Sequence, residues 1–376
     1  MLRVLILIDW LRPYGAERVA AELAAGLAKR HEVTIVTFRG SARDSKRWTP
    51  ADVSHVHLRP RGRRFVRLFS LSVQTTHLLR EKRPSAVLSF MPYANSVAAV
   101  AGLLARTPVV ASEHTIMSLA RYGGWERPLL HLAMRAYLRR VAAVIAVSRA
   151  VKRDLVERFG ASPASVHVIY NPVDSRRLGR DAAAGAPMVT PRLPDERRVV
   201  IAASLRWIKG HSWALTALTL LPAAYRLFLV GDGSEEVRLR EIVARLGLDG
   251  RVAFVGWQDH ASAWLADADV VWIPSLAEGF SLVMAEACAL GTPVVAAASP
   301  GLEEIAQYFG CAMMVDTGNA HALAAATLAS DGSRARRPGR LIGQLAPERV
   351  AMRYEQVLLS VAPRSRCAAP APGSAS

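Results

Sequence analysis

Cysteine is scarce in this sequence. Its three residues, Cys288, Cys311 and Cys367, stand at spacings that match neither a zinc site nor a disulfide framework, so a reduced, cytoplasmic protein is expected. Long apolar runs are missing too. The nearest, SVAAVAGLLA, is stopped by Arg106, well short of the roughly 18 residues that a membrane-spanning helix requires. The opening MLRVLILIDW is interrupted by Asp9 and followed by no small-residue cleavage site, so it reads as a buried first strand rather than a secretory signal. The expectation is a chain that does not span a membrane.

Acid is also in deficit, with 31 Asp and Glu against 48 Lys and Arg, a formal charge of +17. Such an excess suits nucleic acid, an anionic membrane surface or a phosphate-bearing substrate. No zinc-finger, basic-zipper or RNA-motif signature accompanies it, which counts against nucleic acid. The densest cluster, RPRGRRFVRLF, interleaves Arg61, Arg63, Arg64 and Arg67 with Phe65, Val66, Leu68 and Phe69. A second, RYGGWERPLLHLAMRAYLRR, carries Trp125, Leu129 and Leu130 between arginines. Mixed basic and apolar stretches fit an anionic membrane surface, while an arginine-rich solvated surface explains them equally well.

What the sequence has in abundance is short apolar runs alternating with helical patterns. RVLILI, HEVTIVTF, SAVLSF, TPVVAS, AAVIAVS and VHVIYNPVD form one series; VVIAAS, YRLFLVG, RVAFVG, DVVWIPS and TPVVAA form a second. The runs are continuous rather than alternating, as expected of parallel strands covered on both faces. The fold class is therefore α/β, with two Rossmann-like domains facing a central cleft. A first domain over 1–173 and a second over 199–345 are separated by a linker or exposed excursion at 174–198, which is rich in Pro, Gly, Ala and Arg. A helix at 346–362 is placed to pack back on the first domain, and 363–376 reads as a disordered tail.

In a parallel sheet the loops LRWIKGH, GDGSE, GWQDH and LAEGF all leave the same edge. Arg206, Lys209, His260, Glu278 and the amides near Gly279 to Ser281 then line one crevice. Cations and helix-start amides attract phosphate, and carboxylates accept sugar hydroxyls, so the combination describes a nucleotide-sugar site. Two similar-looking patterns are declined. Asp267-Ala268-Asp269 has a metal-binding spacing but precedes its strand, and GDGSE lacks the Gly-Lys-Ser/Thr of a P-loop.

The run VVWIPSLAEGFSLVMAEACALGTPVVA, with Glu278 and Glu286 separated by seven residues, resembles the donor-site signature of the retaining glycosyltransferases of family 4, also called glycosyl transferases group 1. YGAERVAAELAAGLAKRHEVTIVT, ASEHT, AVIAVSRAVKRDL, VIYNPVD and GDGSEEVRLREIVARLGLDGRVAFVGW resemble other parts of that family. Only 39–84, the linker and the tail lack a counterpart. The resemblance implies the GT-B fold and retaining transfer of a sugar from a nucleotide-diphosphate donor to a saccharide or lipid-linked acceptor, in surface polysaccharide or glycolipid synthesis. No cofactor and no metal are implied.

The resemblance also distributes roles. Glu278, Lys209, Arg206 and His114 are the implied catalytic group; Gly15, Gly279, Phe280, Ser281, Leu282 and Glu286 are implied to bind the donor. Glu286 would accept ribose hydroxyls, Glu278 would contact the transferred sugar, and Lys209 and Arg206 would neutralise the leaving diphosphate. Two positions depart from the pattern. Tyr14 replaces the first of a glycine pair, and Ser204 stands where the phosphate-binding arginine is usual, with Arg206 the nearest substitute. The alternatives are a nucleotide-sugar epimerase or sugar phosphorylase of the same fold, a transferase acting on a soluble small molecule, and a polyanion- or membrane-binding scaffold. Contact with the inner face of the cytoplasmic membrane is the further partner that the basic clusters suggest.

Overall fold

The computed structural model describes residues 1–12, 14–62, 64–119, 126–186, 192–330 and 339–363. The first sheet contains β1 (Arg3–Leu7), β2 (Glu32–Thr37), β3 (Ser54–His57), β4 (Ala86–Phe90), β5 (Val109–Glu113), β6 (Ala143–Ala146) and β7 (Val166–Val168). The second contains β8 (Arg197–Ala202), β9 (Tyr225–Val230), β10 (Val252–Gly256), β11 (Val270–Ile273), β12 (Val294–Ala297) and β13 (Ala312–Val315). Their spatial orders are β3-β2-β1-β4-β5-β6-β7 and β10-β9-β8-β11-β12-β13, with every strand pair parallel. The order reverses beside β1 in one sheet and beside β8 in the other, which opens a crevice at the carboxyl edge of each.

Helices α1 (Gly15–Ala28), α2 (Ala42–Arg47), α3 (Arg64–Lys82), α4 (Pro92–Ala105), α5 (Glu126–Leu138) and α6 (Arg149–Glu157) belong to the first half. After α7 (Ser175–Ala184), the second half adds α8 (His211–Thr219), α9 (Glu236–Arg245), α10 (Ala261–Asp267), α11 (Leu282–Leu290), α12 (Pro300–Phe309), α13 (Ala320–Ala329) and α14 (Gly339–Gln344). The chain ends on α15 (Pro347–Val361). The central strands are sealed on both sides, as the continuous apolar runs require: Val4 through Ile8 are each at most 2% exposed. Val19, Leu23 and Leu27 form the buried stripe of α1.

Four features differ from the sequence reading. The short edge strands β3 and β13 were not anticipated, because Ser-His-Val-His and Ala-Met-Met-Val carry little β-branched apolar signal. Part of the segment read as a linker forms α7, capped by Asp174, whose carboxylate accepts the amides of Arg176 and Arg177. Its buried Leu178 and Asp181 face α10 and α11, and Asp181 accepts the Ser262 hydroxyl. The cysteine reading is corrected as well. Cys288 and Cys311 form a disulfide with their Cα atoms 5.8 Å apart, because the turn after α11 returns through β12 and α12 to the same place, which their 23-residue separation does not reveal. Cys367 and the rest of the expected tail, 364–376, lie outside the described residues, as do Arg63 and Trp125.

Helix α15 packs on α1 at a close approach, where a Cβ on Gly26 would lie 2.7 Å from that of Ala351. Glu355 anchors it to Arg30 at 2.7 Å and to His31 at 2.8 Å. The two segments that pass between the halves touch each other, with the Val173 amide donating to the Leu345 carbonyl at 2.8 Å. A further clasp is formed by Glu304 of α12, whose carboxylate accepts the first amides of α6, Arg149 at 2.8 Å and Ala150 at 2.9 Å, and the Tyr170 hydroxyl at 2.7 Å. A carboxylate at a helix start satisfies amides that the helix itself leaves open. Arg198 donates to both acids, through its guanidinium to Asp267 and through its backbone amide to the Asp269 carboxylate at 2.7 Å; Asp269 lies in the loop into β11, as read, whereas Asp267 is the last residue of α10.

Candidate active site

A cavity of about 550 Å³ lies between the carboxyl edges of the two sheets. Two helices point their amino ends into it, one from each half: α1 through Gly15 and Ala16, and α11 through Ser281, Leu282 and Val283. Ser281 caps α11 by accepting the Met284 amide at 3.2 Å. The amides of Leu282 and Val283 donate to no acceptor among the described residues. Two helix starts facing one cavity concentrate positive potential and open donors where an anion would sit.

Charged side chains reinforce that field. Lys209, in the turn after β8, is positioned by Gly210, which has φ +72° and where a Cβ would collide with the Pro274 carbonyl at 1.9 Å. Its Nζ meets the Glu278 carboxylate at 2.5 Å, and both groups line the cavity. Arg206 also lines it, and its Nε donates to the Ser204 hydroxyl at 3.1 Å, so the substitute arginine is in contact with the position where the family's arginine is usual. Glu286 is 4% exposed on the first turns of α11. Its Oε1 accepts Arg18 of α1 and Arg177 of α7, each at 2.6 Å, while Oε2 takes no hydrogen bond from the described residues.

His114 enters from the end of β5 on the opposite wall. Its Nε2 pairs with the Ser112 hydroxyl at 3.0 Å, and that hydroxyl meets the Tyr354 hydroxyl of α15 at 3.1 Å. Burial pushes its imidazole down to about 3, so it is neutral at ordinary pH. Gly279 is near the cavity but does not line it. It packs against the other half, where a Cβ would reach the His114 carbonyl at 2.2 Å. His260 is also displaced from its expected place: 69% exposed, it pairs with Asp181 of α7 at 3.1 Å, and Gln258 and Asp259 of the same loop take the cavity wall instead.

Three residues in or beside the cavity were given no role from the sequence. Tyr14 spans the cleft, its hydroxyl donating to Asp232 at 2.8 Å and its ring meeting Trp257 edge-on at 4.7 Å. Only its departure from the expected glycine flagged it. Arg18 and Arg177 carried no local signal, since their role depends on two helices converging on Glu286. Among the described residues, no cluster of three or more His, Cys, Asp or Glu is arranged to hold a metal ion.

Comparison with known proteins agrees with this geometry. Residues 13–177 match the glycosyltransferase family 4 domain model, and residues 196–330 match the glycosyl transferases group 1 model. The lipopolysaccharide core biosynthesis glycosyltransferase LpsE of Rhizobium meliloti is 28% identical over 364 residues, which cover 92% of this chain and 96% of that one. Among solved structures, Anabaena HepE in complex with UDP and glucose superposes with a TM-score of 0.79 at 23% identity, covering 96% of this chain and 100% of that one. WaaG, a glycosyltransferase involved in lipopolysaccharide biosynthesis, superposes at 0.69 with 17% identity, over 93% and 98% of the two chains. With both halves matched in order and the cleft lying between them, the chain belongs to the family 4 glycosyltransferases and has their two-domain GT-B fold.

Proposed function

We propose that this glycosyltransferase moves a sugar, with retention of anomeric configuration, from a nucleotide-diphosphate sugar to a saccharide or lipid-linked acceptor in bacterial surface-glycan synthesis. The observation that carries the reading is the convergence of two helix amino ends, Lys209 and Arg206 on one cavity. In this reading the diphosphate lies between the starts of α1 and α11, beside Gly15, Phe280, Ser281 and Leu282. Lys209 and Arg206 offset the charge that grows on the departing phosphate. Glu286 accepts ribose hydroxyls through Oε2 while Arg18 and Arg177 hold Oε1. Glu278 and neutral His114 bind hydroxyls of the transferred sugar. The anomeric carbon passes through an oxocarbenium-like state, and the acceptor oxygen attacks from the face that the phosphate leaves, giving up its proton to that phosphate. No protein nucleophile is assigned.

The HepE complexes make uridine diphosphate the first nucleotide to test. Cytoplasmic action is favoured by the lipopolysaccharide-synthesising relatives. Contact with an anionic membrane is suggested by Val66 and Phe69, 63% and 72% exposed on α3 on either side of Arg67. Cosedimentation with anionic vesicles that persisted after Arg61 and Arg67 were neutralised would remove that part of the proposal.

The donor reading is tested by thermal stabilisation with UDP, GDP and ADP and their sugars. A ligand at about 100 times its Kd stabilises the folded state by about 2.7 kcal/mol. One nucleotide should raise the melting temperature, and Glu286→Ala should abolish the effect. Stabilisation that survives in Glu286→Ala would remove the assigned ribose contact. Failure of every nucleotide to stabilise the protein would sink the donor-site reading.

A further inference from the structure

Next to the donor cavity, on the wall of the first domain, is a charged and aromatic cluster that the donor reading leaves unused. Trp10 and Met91 line the cavity, and the residues beside them in the chain turn away from it. Asp9 follows β1, Arg39 follows β2, Tyr93 opens α4 and Arg67 lies on α3. The loop ends are tied together, since the amides of Phe38 and Arg39 both donate to the Asp9 carbonyl, at 3.0 and 2.7 Å. Arg39 is fixed from two sides: its Nε meets Asp9 Oδ2 at 3.2 Å, and its guanidinium lies 4.9 Å from the Tyr93 ring centroid. Arg67 donates to the Phe38 carbonyl at 3.4 Å and lies close enough to Asp9 and Tyr93 to act on both electrostatically.

The cluster is built to present cations. Asp9 Oδ2 is engaged by Arg39, and Oδ1 is buried with no hydrogen-bond partner among the described residues, so the carboxyl is closed to sugar hydroxyls. Burial raises the Asp9 carboxyl to about 6 against the opposing pull of Arg39 and Arg67. What remains open is the terminal fork of Arg39, which is 45% exposed, and beside it the half-buried Arg67 adds a second guanidinium whose bond to the Phe38 carbonyl is long, at 3.4 Å. Two guanidinium groups against one carboxylate leave a net positive site, and a pre-fixed planar fork is the geometry that binds oxyanions in pairs of hydrogen bonds. A second observation points the same way. Met91 adopts φ 73°, a conformation costly for a residue with a side chain, at the point where the cavity wall becomes the cluster. Both arginines fall within 39–84, which the family 4 domain model spans but in which none of the family-like motifs quoted from the sequence lies.

We propose that Arg39 and Arg67, braced by Asp9 and Tyr93, form a subsite for an anionic substituent, a phosphate or a carboxylate, on the acceptor saccharide. The proposal rests on the transferase reading, in which the acceptor approaches the sugar end of the cavity from the first domain. The full chain is titrated calorimetrically with glucose, glucose 6-phosphate, glucuronate and inorganic phosphate at fixed ionic strength, with and without saturating UDP. Binding of at least one charged sugar about tenfold tighter than glucose is expected, and a loss of about tenfold for that sugar in Arg39→Gln and again in Arg67→Gln. The tighter of the two charged sugars identifies the anion, and competition by inorganic phosphate checks it. Arg80→Gln, an arginine elsewhere on α3, controls for general charge and should change nothing. Equal binding of glucose and both charged sugars, or a preference that survives both substitutions, would overturn the subsite. A protein that prefers the charged sugar without UDP and yet binds no UDP would keep the subsite and discard uridine diphosphate as its donor nucleotide.

Discussion

Glu113 should make the protein lose stability as pH rises from the usual carboxyl range to neutrality. Its side chain is fully buried at the end of β5, where Oε1 accepts the Asn95 amide at 2.7 Å and the Tyr137 hydroxyl, and Oε2 has no partner among the described residues. Burial pushes its carboxyl from 4.5 up to about 7, and the two donors only partly oppose that. A raised acid binds its proton more tightly in the folded chain than in the unfolded one. Its contribution is therefore fully present below the unfolded value and is lost as pH climbs to the folded one. At about 1.4 kcal/mol for each pH unit in that window, roughly 3 kcal/mol disappears between pH 4.5 and about 7.

Glu113→Gln tests this directly. The carboxamide keeps the shape and the Oε1 acceptor for Asn95 and Tyr137, and it cannot ionise. Asp9 and Glu22 are raised in the same direction, to about 6 and about 7, but are common to both proteins, so the difference between them isolates Glu113. In urea denaturation from pH 5 to 8, the variant should lose less stability with rising pH and exceed the parent at pH 8 by about 1–3 kcal/mol. Parallel curves across that range would refute the argument, since they would mean that Glu113 carries no excess proton in the folded protein.

Three other outcomes are expected. Lys209→Met should lower kcat by about 10²- to 10³-fold, as loss of a preorganised charge at a leaving group does, and a change confined to KM would remove its assigned role. Glu304→Ala, which takes an acceptor from three hydrogen bonds between the halves, should weaken the closed arrangement by about 2 kcal/mol; an unchanged radius of gyration and an unchanged KM would show that the clasp contributes little. Reduction of Cys288–Cys311 should cost about 3 kcal/mol for a loop of this length, read as a lower melting temperature in reductant, and no shift would mean that the two sulfurs are not joined in solution.

Much of the fold was legible because parallel strands buried on both faces leave continuous apolar runs, as RVLILI and DVVWIPS do. The strands that were missed, β3 and β13, are edge strands, and an edge needs apolar residues on fewer sides. That Glu278, Lys209 and Arg206 share one cavity, with Glu286 on the helix that follows, could be read because loops after parallel strands share an edge, so linear order already implies proximity. His260 was misplaced for the complementary reason. It sits on such a loop, but Asp181 of a helix not expected from the sequence holds its ring elsewhere. Arg18 and Arg177 could not be read at all, because they meet Glu286 across 268 and 109 residues of chain.

The paired crossing at Val173 and Leu345 has a practical consequence for recombination. The second half is a cassette inserted into the first, since α15 returns to α1 after the second crossing. A hybrid made by exchanging everything after 173 would strip the first domain of Tyr354 and Glu355, whereas replacing 174–345 alone would leave both in place. The remaining seam is chemical: Arg177 would travel with the cassette and Arg18 would stay, so a compatible graft must supply a carboxylate that both guanidiniums can still reach.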